Sequence, residues 1–489
     1  MSLLLALDLG TSSTRTALFD ETGSRLVHTT GQESYPLLTD GSGAAELDAM
    51  TLKAAFIASL AKTMEQYRAD PSLAGQKIAA VGISCFWHGL LGTDAAGRPI
   101  TPVITWADAR PAAAAEELRR ELSEKKIHAR TGCMLRASFW PAKLRWLRKN
   151  NNALYRKVAR WMSPAEWLQL QVCDGANCAL GMATATGLLN PTTLRWDPQL
   201  LEMSGIAPAQ LQPLSDDPVK TGADLARKYP ELAHTAWYPG IGDGATSNLG
   251  SGATKPGLAA INVGTSAALR IMRSGKKAAA PFGLFAYRVD AERYLVGGAV
   301  SNAGNLRAWC LRELKLEADP LRLEEELAAR PRPEHGLVVL PFWTVERAPT
   351  WNESVPGMVT GLKQATTSLD LLQAITEATY HRIARVADLL LEEEAVPKFL
   401  VSGGIQHSPS AMQRLADVLG RPIYANPEPE ASLRGAAIYA MEKLGWAIPP
   451  LKLGRAIRPR RDIAALYAVE RQKQIDLEAS FTKATAVSH

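Results

Sequence analysis

Two aspartates in the sequence stand beside glycine-containing turns, where a carboxylate can do chemistry on a phosphate. Asp8 follows five apolar residues, Leu3 to Leu7, and comes just before the hydroxyl-rich turn from Gly10 to Ser13. Asp243 lies between two glycines in YPGIGDGATSNLGSG. At such places a carboxylate can hold Mg²⁺ or take a proton from an attacking hydroxyl. The same residues also suit simpler roles, because Asp is common in hairpin turns and at helix N-caps.

The turn after Asp8 has a second copy roughly half a chain later. ALDLGTSSTRTAL near the start aligns with AINVGTSAALRIM further along. The alignment pairs Asp8 with Asn262, Gly10 with Gly264, Thr11 with Thr265 and Ser12 with Ser266. A phosphate chain needs donors from opposite sides, and glycine lets backbone N–H groups approach it closely. We therefore interpret the two turns as halves of one phosphate clamp in a duplicated architecture.

Only the first copy of the turn keeps a carboxylate. Asp8 could hold the Mg²⁺ of a nucleotide, whereas Asn262 at the matching place would bring no second charge. The sequence contains no G-x-x-x-x-G-K-[ST] motif, which excludes a P-loop as the phosphate site.

The composition indicates a two-domain cytoplasmic protein. A chain of 489 residues exceeds one ordinary core, and we expect domains at residues 1–244 and 245–489. The net charge of +6 is modest and no basic run is interleaved with aromatics, which argues against nucleic acid and favours small anionic ligands. Five scattered cysteines predict reduced thiols rather than disulfides or zinc. No segment resembles a membrane span.

Apolar stretches alternate between strand-like and helix-like patterns, which predicts an α/β fold. KIAAVGISC, Lys77 to Cys85, is typical of a buried strand, and a helix is predicted over Ser368 to Leu391 with Ser368 as N-cap. A strand in PKFLVSGG then ends at Gly403 and Gly404, and a helix follows from Pro409 to Leu419. Ligands of open α/β sheets lie beyond the carboxyl ends of strands. The Gly-Gly loop is therefore either a nucleotide contact or a plain strand-to-helix turn.

Nine short segments follow one another along the chain in an order that is specific for one protein family. They are DLGTSSTR, WHGLLGTD, ITWADAR, SFWPAKLRWLRKN, IGDGATSNLG, INVGTSAALR, GGAVSNAGNLRAW, ERAPTWN and SGGIQHSP. From Leu5 to the region of Gly445 the chain resembles the FGGY carbohydrate kinases of the actin-like ATPase superfamily, and among them the gluconate kinases. The resemblance implies two RNase H-like domains with a cleft between them. It also implies transfer of phosphate from ATP to a sugar with Mg²⁺.

The same resemblance implies roles for individual residues. Asp243 would be the general base, and Asp8 and Asp243 would lie at the metal. The residues expected to contact the nucleotide are Thr11, Ser12, Ser13, Arg15, Gly264, Thr265, Gly304, Gly403, Gly404 and Ser408. The residues expected to contact the sugar, besides Asp243, are Trp87, His88, Trp106 and Ser138. Of these, Ser408 stands where some relatives carry Asn.

The expected substrate is D-gluconate, phosphorylated on its terminal hydroxyl to give 6-phosphogluconate. ITWADAR, TATGLLNPTTLRWD, SNLG and ERAPTWN resemble the gluconate branch of the family more than the xylulose branch. A buried carboxylate needs a cation or several donors, for which Arg110 is the first candidate and His88 the second. Arg110 could equally form an ordinary surface ion pair.

The sequence departs from the family pattern at two positions on the expected substrate side. Trp87 stands where relatives often have Met, and Trp140 where they often have a small hydroxyl residue, so both add aromatic bulk.

Two other functions stay open. An enzyme of the same fold acting on a ketose such as xylulose is one alternative. A non-catalytic actin-like protein that uses ATP as an assembly switch is the other, although it would not need the WHG and WADAR segments. The expected state is a monomer or a homodimer.

Overall fold

The computed structural model describes residues 2–353, 355–391 and 398–487, which form two seven-stranded sheets with helices packed against both. The architecture is α/β and has two halves, as the sequence predicts. Pro397 of the predicted strand, and the predicted domain ends Met1 and His489, lie outside the described residues. Within the described ranges, every helix is too short or too polar to cross a membrane.

The first half contains the elements up to residue 250. Its strands are β1 (Ser2–Leu9), β2 (Ser13–Phe19), β3 (Gly31–Ser34), β4 (Leu38–Thr39), β5 (Ala45–Leu47), β6 (Lys77–Cys85), β7 (Leu91–Thr93), β8 (Val103–Ile104), β9 (Arg160–Met162), β10 (Leu189–Asn190), β11 (Arg195–Trp196), β12 (Val219–Lys220), β13 (Ala236–Trp237) and β14 (Ile241–Gly242). Its helices are α1 (Ala49–Ala69), α2 (Ala112–Glu121), α3 (Glu124–Thr131), α4 (Trp140–Asn150), α5 (Asn152–Tyr155), α6 (Pro164–Val172), α7 (Leu180–Ala183), α8 (Pro198–Ser204), α9 (Ala223–Lys228) and α10 (Asp243–Gly250).

The second half contains the remaining elements. Its strands are β15 (Leu258–Val263), β16 (Ala267–Ser274), β17 (Phe285–Arg288), β18 (Arg293–Val300), β19 (Val338–Leu340), β20 (Met358–Thr360), β21 (Lys398–Ser402), β22 (Ile423–Ala425) and β23 (Ala456–Ile457). Its helices are α11 (Gly304–Glu313), α12 (Pro320–Ala328), α13 (Ser368–Leu391), α14 (Pro409–Leu419), α15 (Ala431–Lys443) and α16 (Arg461–Val487).

The two large sheets repeat one topology around the predicted turns. The first has the order β12-β13-β6-β1-β2-β3, with β14 also pairing β6, and the second has the order β17-β18-β16-β15-β21-β22-β23. In each, a central strand pairs antiparallel with the strand after the turn and parallel with a later strand. Asp8 lies opposite Ser84, and Asn262 lies opposite Ser402 in the same register. The internal repeat is thus a structural repeat.

Most of the predicted local elements are present, with one shift at a helix start. Strand β6 and helix α14 have the predicted bounds, and Gly420 follows α14 with a φ of 64°. The predicted N-cap at Ser368 is wrong by one residue. Thr367 accepts the N–H of Asp370 at 3.1 Å, and Asp370 accepts the N–H of Thr367 at 2.8 Å. Thr367 is preferred because an acidic residue three positions later completes this reciprocal cap.

Helices α10 and α15 join the two halves through close backbone contact. A Cβ at Gly250 would lie 1.8 Å from the carbonyl oxygen of Ala431, and one at Gly435 would lie 1.7 Å from that of Thr246. Only glycine allows this approach. Helix α15 belongs to the second half by sequence, yet it packs against β1 and β6 of the first sheet. The division at residues 244 and 245 stays a prediction.

Candidate active site

The carboxyl ends of β1, β6 and β14 bring Asp8 and Asp243 to one edge of the first sheet. Strands β1 and β14 both run parallel to β6 on its two sides, and Asp243 follows β14 directly. Burial raises the pKa of Asp8 to about 6, a hydrogen bond with Ser84 lowers it, and the charge of Asp243 raises it further. The two aspartates that the sequence singled out are therefore close enough to repel each other.

The first predicted phosphate turn is a tight connection between β1 and β2. The N–H of Gly10 donates to the carbonyl of Ser13 at 2.9 Å, and the Tyr35 hydroxyl donates to the carbonyl of Gly10 at 2.6 Å. These bonds fix the backbone of the turn. Ser12 is exposed, and Thr11 and Ser13 are half-buried, so their hydroxyls lie at the surface beside Asp8.

Arg15 lies opposite Asp8 on the neighbouring strand β2. Its Nη1 is 3.0 Å from Oε2 of Glu430, which stands just before α15, so this ion pair joins the two halves beside the turn. The Nε of Arg15 is buried and has no hydrogen-bond partner among the described residues. Arg15 therefore has a donor left for an anion.

The second predicted turn lies against the N-terminus of α11. The N–H of Gly264 donates to Ser266 at 2.9 Å, and the N–H groups of Gly304 and Asn305 donate to Gly264 and Thr265 at 2.9 and 3.1 Å. A Cβ at Gly304 would lie 2.4 Å from the Gly264 carbonyl oxygen, so this contact requires glycine. At Gly264 itself the nearest atom to a Cβ would be 3.8 Å away. This turn therefore leaves open space above its glycine, next to a helix start that favours anions.

The predicted Gly-Gly loop borders the same turn, but its residues differ in role. Gly403 has a φ of 93°, and a Cβ there would lie 2.4 Å from the carbonyl oxygen of Val263, which precedes the second turn. Gly404 is exposed and has no atom within 4 Å of a Cβ. Ser408 caps α14 by accepting the N–H of Ala411 at 3.2 Å. Gly403 and Ser408 thus have structural roles, whereas Gly404 is open to a ligand.

The aspartate that the sequence suggested as a base is the first residue of α10. Its Oδ1 accepts the N–H of Gly244 at 2.7 Å, and Gly242 occupies the N-cap position. Burial raises the pKa of Asp243 above its usual value, while the positive charge of Arg270 and the bond from Gly244 act against this rise. Asp243 is thus not the N-cap, and its Oδ2 has no hydrogen-bond donor among the described residues.

The indole of Trp87 explains why glycines flank Asp243. A Cβ at Gly242 would lie 1.7 Å from Nε1 of Trp87, and one at Gly244 would lie 2.2 Å from its Cζ3. The ring packs directly on this backbone and is only 6% exposed. Its Nε1 donates to the carbonyl of Gly181 at 3.2 Å. Trp87 therefore lies directly against the backbone on both sides of Asp243, and its contact with a sugar stays a prediction.

His88 is held as a neutral ring. It has a φ of 66°, and Lys143 donates to its carbonyl at 2.6 Å, which supports this uncommon backbone conformation. Its Nδ1 lies 2.8 Å from the carbonyl of Ala185 and must carry the hydrogen, because a carbonyl only accepts. Burial lowers the pKa of His88 to about 3. His88 can therefore accept a hydroxyl through Nε2, but it does not supply the cation that a carboxylate needs.

The structure gives Arg110 the ion-pair role that the sequence left open. Its Nε donates to Asp108 at 3.0 and 3.1 Å, its Nη2 pairs with Glu46, and its guanidinium lies 4.5 Å from the ring of Trp146. Two carboxylates therefore satisfy this cation. The prediction that Arg110 binds the substrate carboxylate has no support in this geometry.

Three further predicted residues have different surroundings. Trp106 is half-buried, and its ring centre lies 5.0 Å from Cζ of Arg347, whose guanidinium lies over the ring. Ser138 is half-buried and precedes Phe139, whose ring is 4.8 Å from that of His88. Trp140, in contrast, is only 2% exposed in a core cluster. The expectation that Trp140 adds bulk to the substrate side is wrong, because its ring packs inward from the start of α4.

Sequence reasoning missed two arginines beside Asp243. Arg270 on β16 lies 5.9 Å from the ring of Trp87, and Arg347 follows β19 in the loop that reaches Trp106. The charges of both arginines act on the pKa of Asp243. Both stand in segments that carried the family resemblance, INVGTSAALR and ERAPTWN, so the signal was present. Together with Trp87, His88 and Trp106 they form what we call the sugar-side cluster.

Comparisons with known proteins agree with this arrangement. The N-terminal domain of the FGGY family of carbohydrate kinases matches residues 3–235, and the C-terminal domain of that family matches residues 259–443. A gluconokinase of Bacillus subtilis (strain 168) is 28% identical over 463 residues, which are 91% of this chain and 88% of that protein. A glycerol kinase of Polaromonas naphthalenivorans (strain CJ2) is 30% identical over 458 residues, which are 89% of this chain and 90% of that protein.

Solved structures confirm the two-domain actin-like fold. A ligand-bound xylulose kinase from Lactobacillus acidophilus superposes with a TM-score of 0.90 at 23% identity over 99% of both chains. A gluconate kinase from the same species superposes with a TM-score of 0.89 at 23% identity over 98% of both chains. The family domains and the fold lead to the same assignment: the chain belongs to the FGGY family of carbohydrate kinases.

Proposed function

We propose that this kinase transfers the γ-phosphate of ATP to the terminal hydroxyl of D-gluconate and forms 6-phosphogluconate. The observation that carries the proposal is the position of Asp243. The negative charge of its carboxylate raises the pKa of Asp8, which lies beside the first phosphate turn, and its backbone packs on Trp87 of the sugar-side cluster. Phosphoryl transfer needs such a group between nucleotide and acceptor. Two gluconokinases that match 91% of the chain support the choice of sugar.

Turns from both halves would hold the phosphates of ATP. The first turn offers the hydroxyls of Thr11, Ser12 and Ser13, and Arg15 adds a cation. The second turn offers Thr265, which is exposed beside the start of α11. The N–H groups of Gly10, Gly264, Gly304 and Asn305 already donate within the protein. The attraction for phosphate would therefore come from the hydroxyls, from Arg15 and from the dipole of α11. Charge neutralisation from two sides suits a transition state that needs alignment more than covalent help.

The two aspartates fit Mg²⁺ at the junction of these turns. Mg²⁺ is usually held by one or two carboxylates together with substrate phosphates and water. Burial raises the pKa of Asp8 to about 6 even though the charge of Arg15 acts against this rise, so a bound cation would supply further countercharge. Asp8 and Asp243 would hold the ion, which would neutralise charge on the phosphates.

Asp243 would act as the general base on the sugar. Its Oδ1 is fixed by the N–H of Gly244, so Oδ2 can accept the proton of the attacking hydroxyl. Arg270 favours the ionised form that this role requires. Trp87 covers the backbone around Asp243 and, with closure of the two halves, would keep water from attacking ATP in place of the sugar.

A neutral sugar or polyol is the second candidate substrate. The glycerol kinase of Polaromonas naphthalenivorans is 30% identical to this chain, and a xylulose kinase of Streptomyces rubiginosus is 29% identical over 480 residues. These values are as high as those of the gluconokinases. The choice between an acid and a neutral substrate must therefore come from the site and from an assay.

A substrate panel tests the proposed function directly. At matched concentrations, we expect D-gluconate to give a higher kcat/KM than xylulose, ribulose, glycerol or related polyols, with ADP formation followed in a coupled assay. The reason is that the sugar-side cluster contains Arg270 and Arg347, whose positive charges can pair with a carboxylate, and His88, a neutral ring that can accept a hydrogen bond from a hydroxyl. A neutral ketose or polyol with the higher kcat/KM contradicts the gluconate proposal. Turnover of no sugar at all would favour the assembly-switch alternative.

Valine at Gly264 or Gly10 tests whether both turns bind one nucleotide. Each side chain would stand where phosphate oxygens must approach, so both variants should bind ATP at least about tenfold more weakly by calorimetry. Gly264 is the cleaner site because a Cβ there meets no atom within 3.4 Å, whereas at Gly10 it would lie 3.0 Å from the Ser13 carbonyl oxygen. Gly175→Val is a matched control, because Gly175 is equally open. A loss in only one of the two turns would mean that they do not share the nucleotide.

A further inference from the structure

The guanidinium groups of Arg270 and Arg347 lack a countercharge in direct contact. Nε of Arg270 is buried and has no hydrogen-bond partner among the described residues. Arg347 donates through Nε to the Ser301 hydroxyl at 3.0 Å and through Nη2 to the carbonyl of Val300 at 3.5 Å, both neutral acceptors. Within the described ranges, neither guanidinium has a carboxylate at ion-pair distance. Arg110, by comparison, is paired with two carboxylates.

The electrostatics of this pair are unfavourable without a ligand. Burial lowers the pKa of Arg347 to about 10, and although Glu346 acts against this shift, the charge of Arg270 adds to it. Burial also lowers the pKa of Arg270, and the negative charge of Asp243 offsets this only in part. The nearest acid on the chain, Glu346, has its own pKa raised to about 7 by burial and faces Arg382 at 3.6 Å. Two buried like charges are costly unless an anion neutralises them.

The two arginines lie on the sugar side of Asp243 and not at the phosphate turns. Arg270 is four residues along β16 from Ser266, a distance of about 13 Å in an extended strand. Its guanidinium stands over Trp87, and that of Arg347 stands over Trp106. The charge of Arg347 also acts on His88. A Cβ at Gly244 would lie 2.7 Å from Nε of Arg270, so an anion held by both arginines would lie beside Trp87 and Trp106, next to the residue that follows Asp243.

We propose that Arg270 and Arg347 bind the carboxylate of the substrate and make this kinase selective for sugar acids over neutral sugars. This inference rests on the proposed function and names its specificity determinants. Guanidinium groups bind carboxylates through paired, charge-assisted hydrogen bonds, and Arg347 keeps Nη1 for this purpose. His88 would accept a hydroxyl of the same molecule, and its neutral ring adds no competing charge.

The test compares Arg270→Met and Arg347→Met with wild type on two substrates of equal length, D-gluconate and its neutral counterpart D-sorbitol. Methionine keeps an unbranched, flexible stem of similar length to the aliphatic part of arginine and removes the charge. Each variant should raise the KM for gluconate by about 10- to 100-fold, the loss expected for a charge-assisted bond. The KM for sorbitol should change by no more than about threefold. Because both charges act on the pKa of Asp243, any loss of kcat should be equal for the two substrates. Arg347→Lys, which keeps the charge without the planar fork, should recover part of the gluconate affinity.

Two measurements keep the test independent of folding and of turnover. Gluconate binding without nucleotide, followed by calorimetry, should weaken by the same factor in both methionine variants. The melting temperature of ligand-free Arg347→Met should be equal to or above that of wild type, because the hydrogen bonds of Arg347 go to neutral acceptors. Arg270→Met also removes a charge that acts on Asp243, so its folding is checked by its melting curve without an expected gain. Arg227→Met serves as the control, because Arg227 is exposed on α9 and, in the part of the chain that the structure describes, its ion pair is with Asp224.

The outcomes separate this inference from the proposed function. If wild type itself prefers a neutral sugar, the proposed substrate is wrong, and this result needs no variant. If wild type prefers gluconate and both methionine variants keep its KM and its binding constant, only the assignment of the two arginines is wrong. A fall in kcat that is equal for gluconate and sorbitol, with unchanged gluconate binding, would place the arginines at the transferred phosphate and overturn the inference.

Discussion

Asp243→Asn is expected to lower kcat for sugar phosphorylation by about 10²- to 10⁴-fold, the usual contribution of a general base. Asparagine has the same shape as aspartate, so it still fits against Trp87 and still accepts the N–H of Gly244 through Oδ1. It cannot take the proton of the attacking hydroxyl. ATP without Mg²⁺ should still bind, because the two phosphate turns are not altered and Asp243 contributes only to the Mg²⁺ site. ADP formation in a coupled assay measures the loss, and calorimetry measures ATP binding.

Asp319→Asn provides the matched control for this substitution. Asp319 also stands at the start of a helix, where it accepts the N–H groups of Leu321 and Arg322 at 2.8 and 3.4 Å. Asparagine caps helices as well as aspartate does, so this variant should keep both stability and turnover. Near-normal turnover of Asp243→Asn would show that Asp243 only begins α10, and the catalytic assignment would then be wrong.

The phosphate turns could be predicted from sequence because they are local structures that occur twice. A strand, a Gly-Thr-Ser turn and a second strand are adjacent along the chain, and the repeat at Gly10 and Gly264 shows that the pattern is not accidental. The parallel partner of each central strand follows from the same duplication. Even so, the roles within the turns differ, since Gly304 and Gly403 are required by packing while Gly264 and Gly404 are open.

The sugar-side cluster could be predicted only in part, because it depends on which charges are already paired. Arg110 and Arg347 both stand in segments that carry the family resemblance, and sequence alone makes them equivalent. The structure shows that Asp108 and Glu46 satisfy Arg110, whereas Arg347 meets neutral acceptors. Asp108 is only two residues from Arg110, but Glu46 is 64 residues away, and no local pattern shows that both carboxylates meet this guanidinium.

Asp8→Asn is expected to reduce kcat/KM for ATP by at least about 100-fold, because it removes a carboxylate from the Mg²⁺ site. The chain itself shows that asparagine fits this position. At the matching place in the second sheet, Nδ2 of Asn262 donates to the Ser402 hydroxyl at 3.2 Å, and Asp8 has Ser84 in the same register. The variant should therefore fold with the same strand pairing, and steady-state kinetics with varied Mg·ATP measures the loss.

The same variant should be more stable than wild type at neutral and alkaline pH. The pKa of Asp8 is raised from 3.8 to about 6 in the folded chain, so the folded state binds more protons than the unfolded state between these values. Ionised Asp8 therefore costs stability above pH 6, up to about 3 kcal/mol for a shift of this size. Below the unfolded pKa the cost disappears. Asparagine carries no charge at any pH and avoids it.

Melting temperatures without nucleotide, measured from about pH 8 down to about pH 4, test this linkage. Asp8→Asn should melt several degrees above wild type at the alkaline end, and the difference should shrink as the pH falls through 6. Asn262→Asp is the matched opposite, since it places a second carboxylate opposite Ser402 and should lower the alkaline melting temperature. A variant at Asp8 that melts below wild type at alkaline pH would show that the charge is already compensated within the chain. In that case Asp8 would not be poised for a cation, and the metal assignment would fail together with the stability prediction.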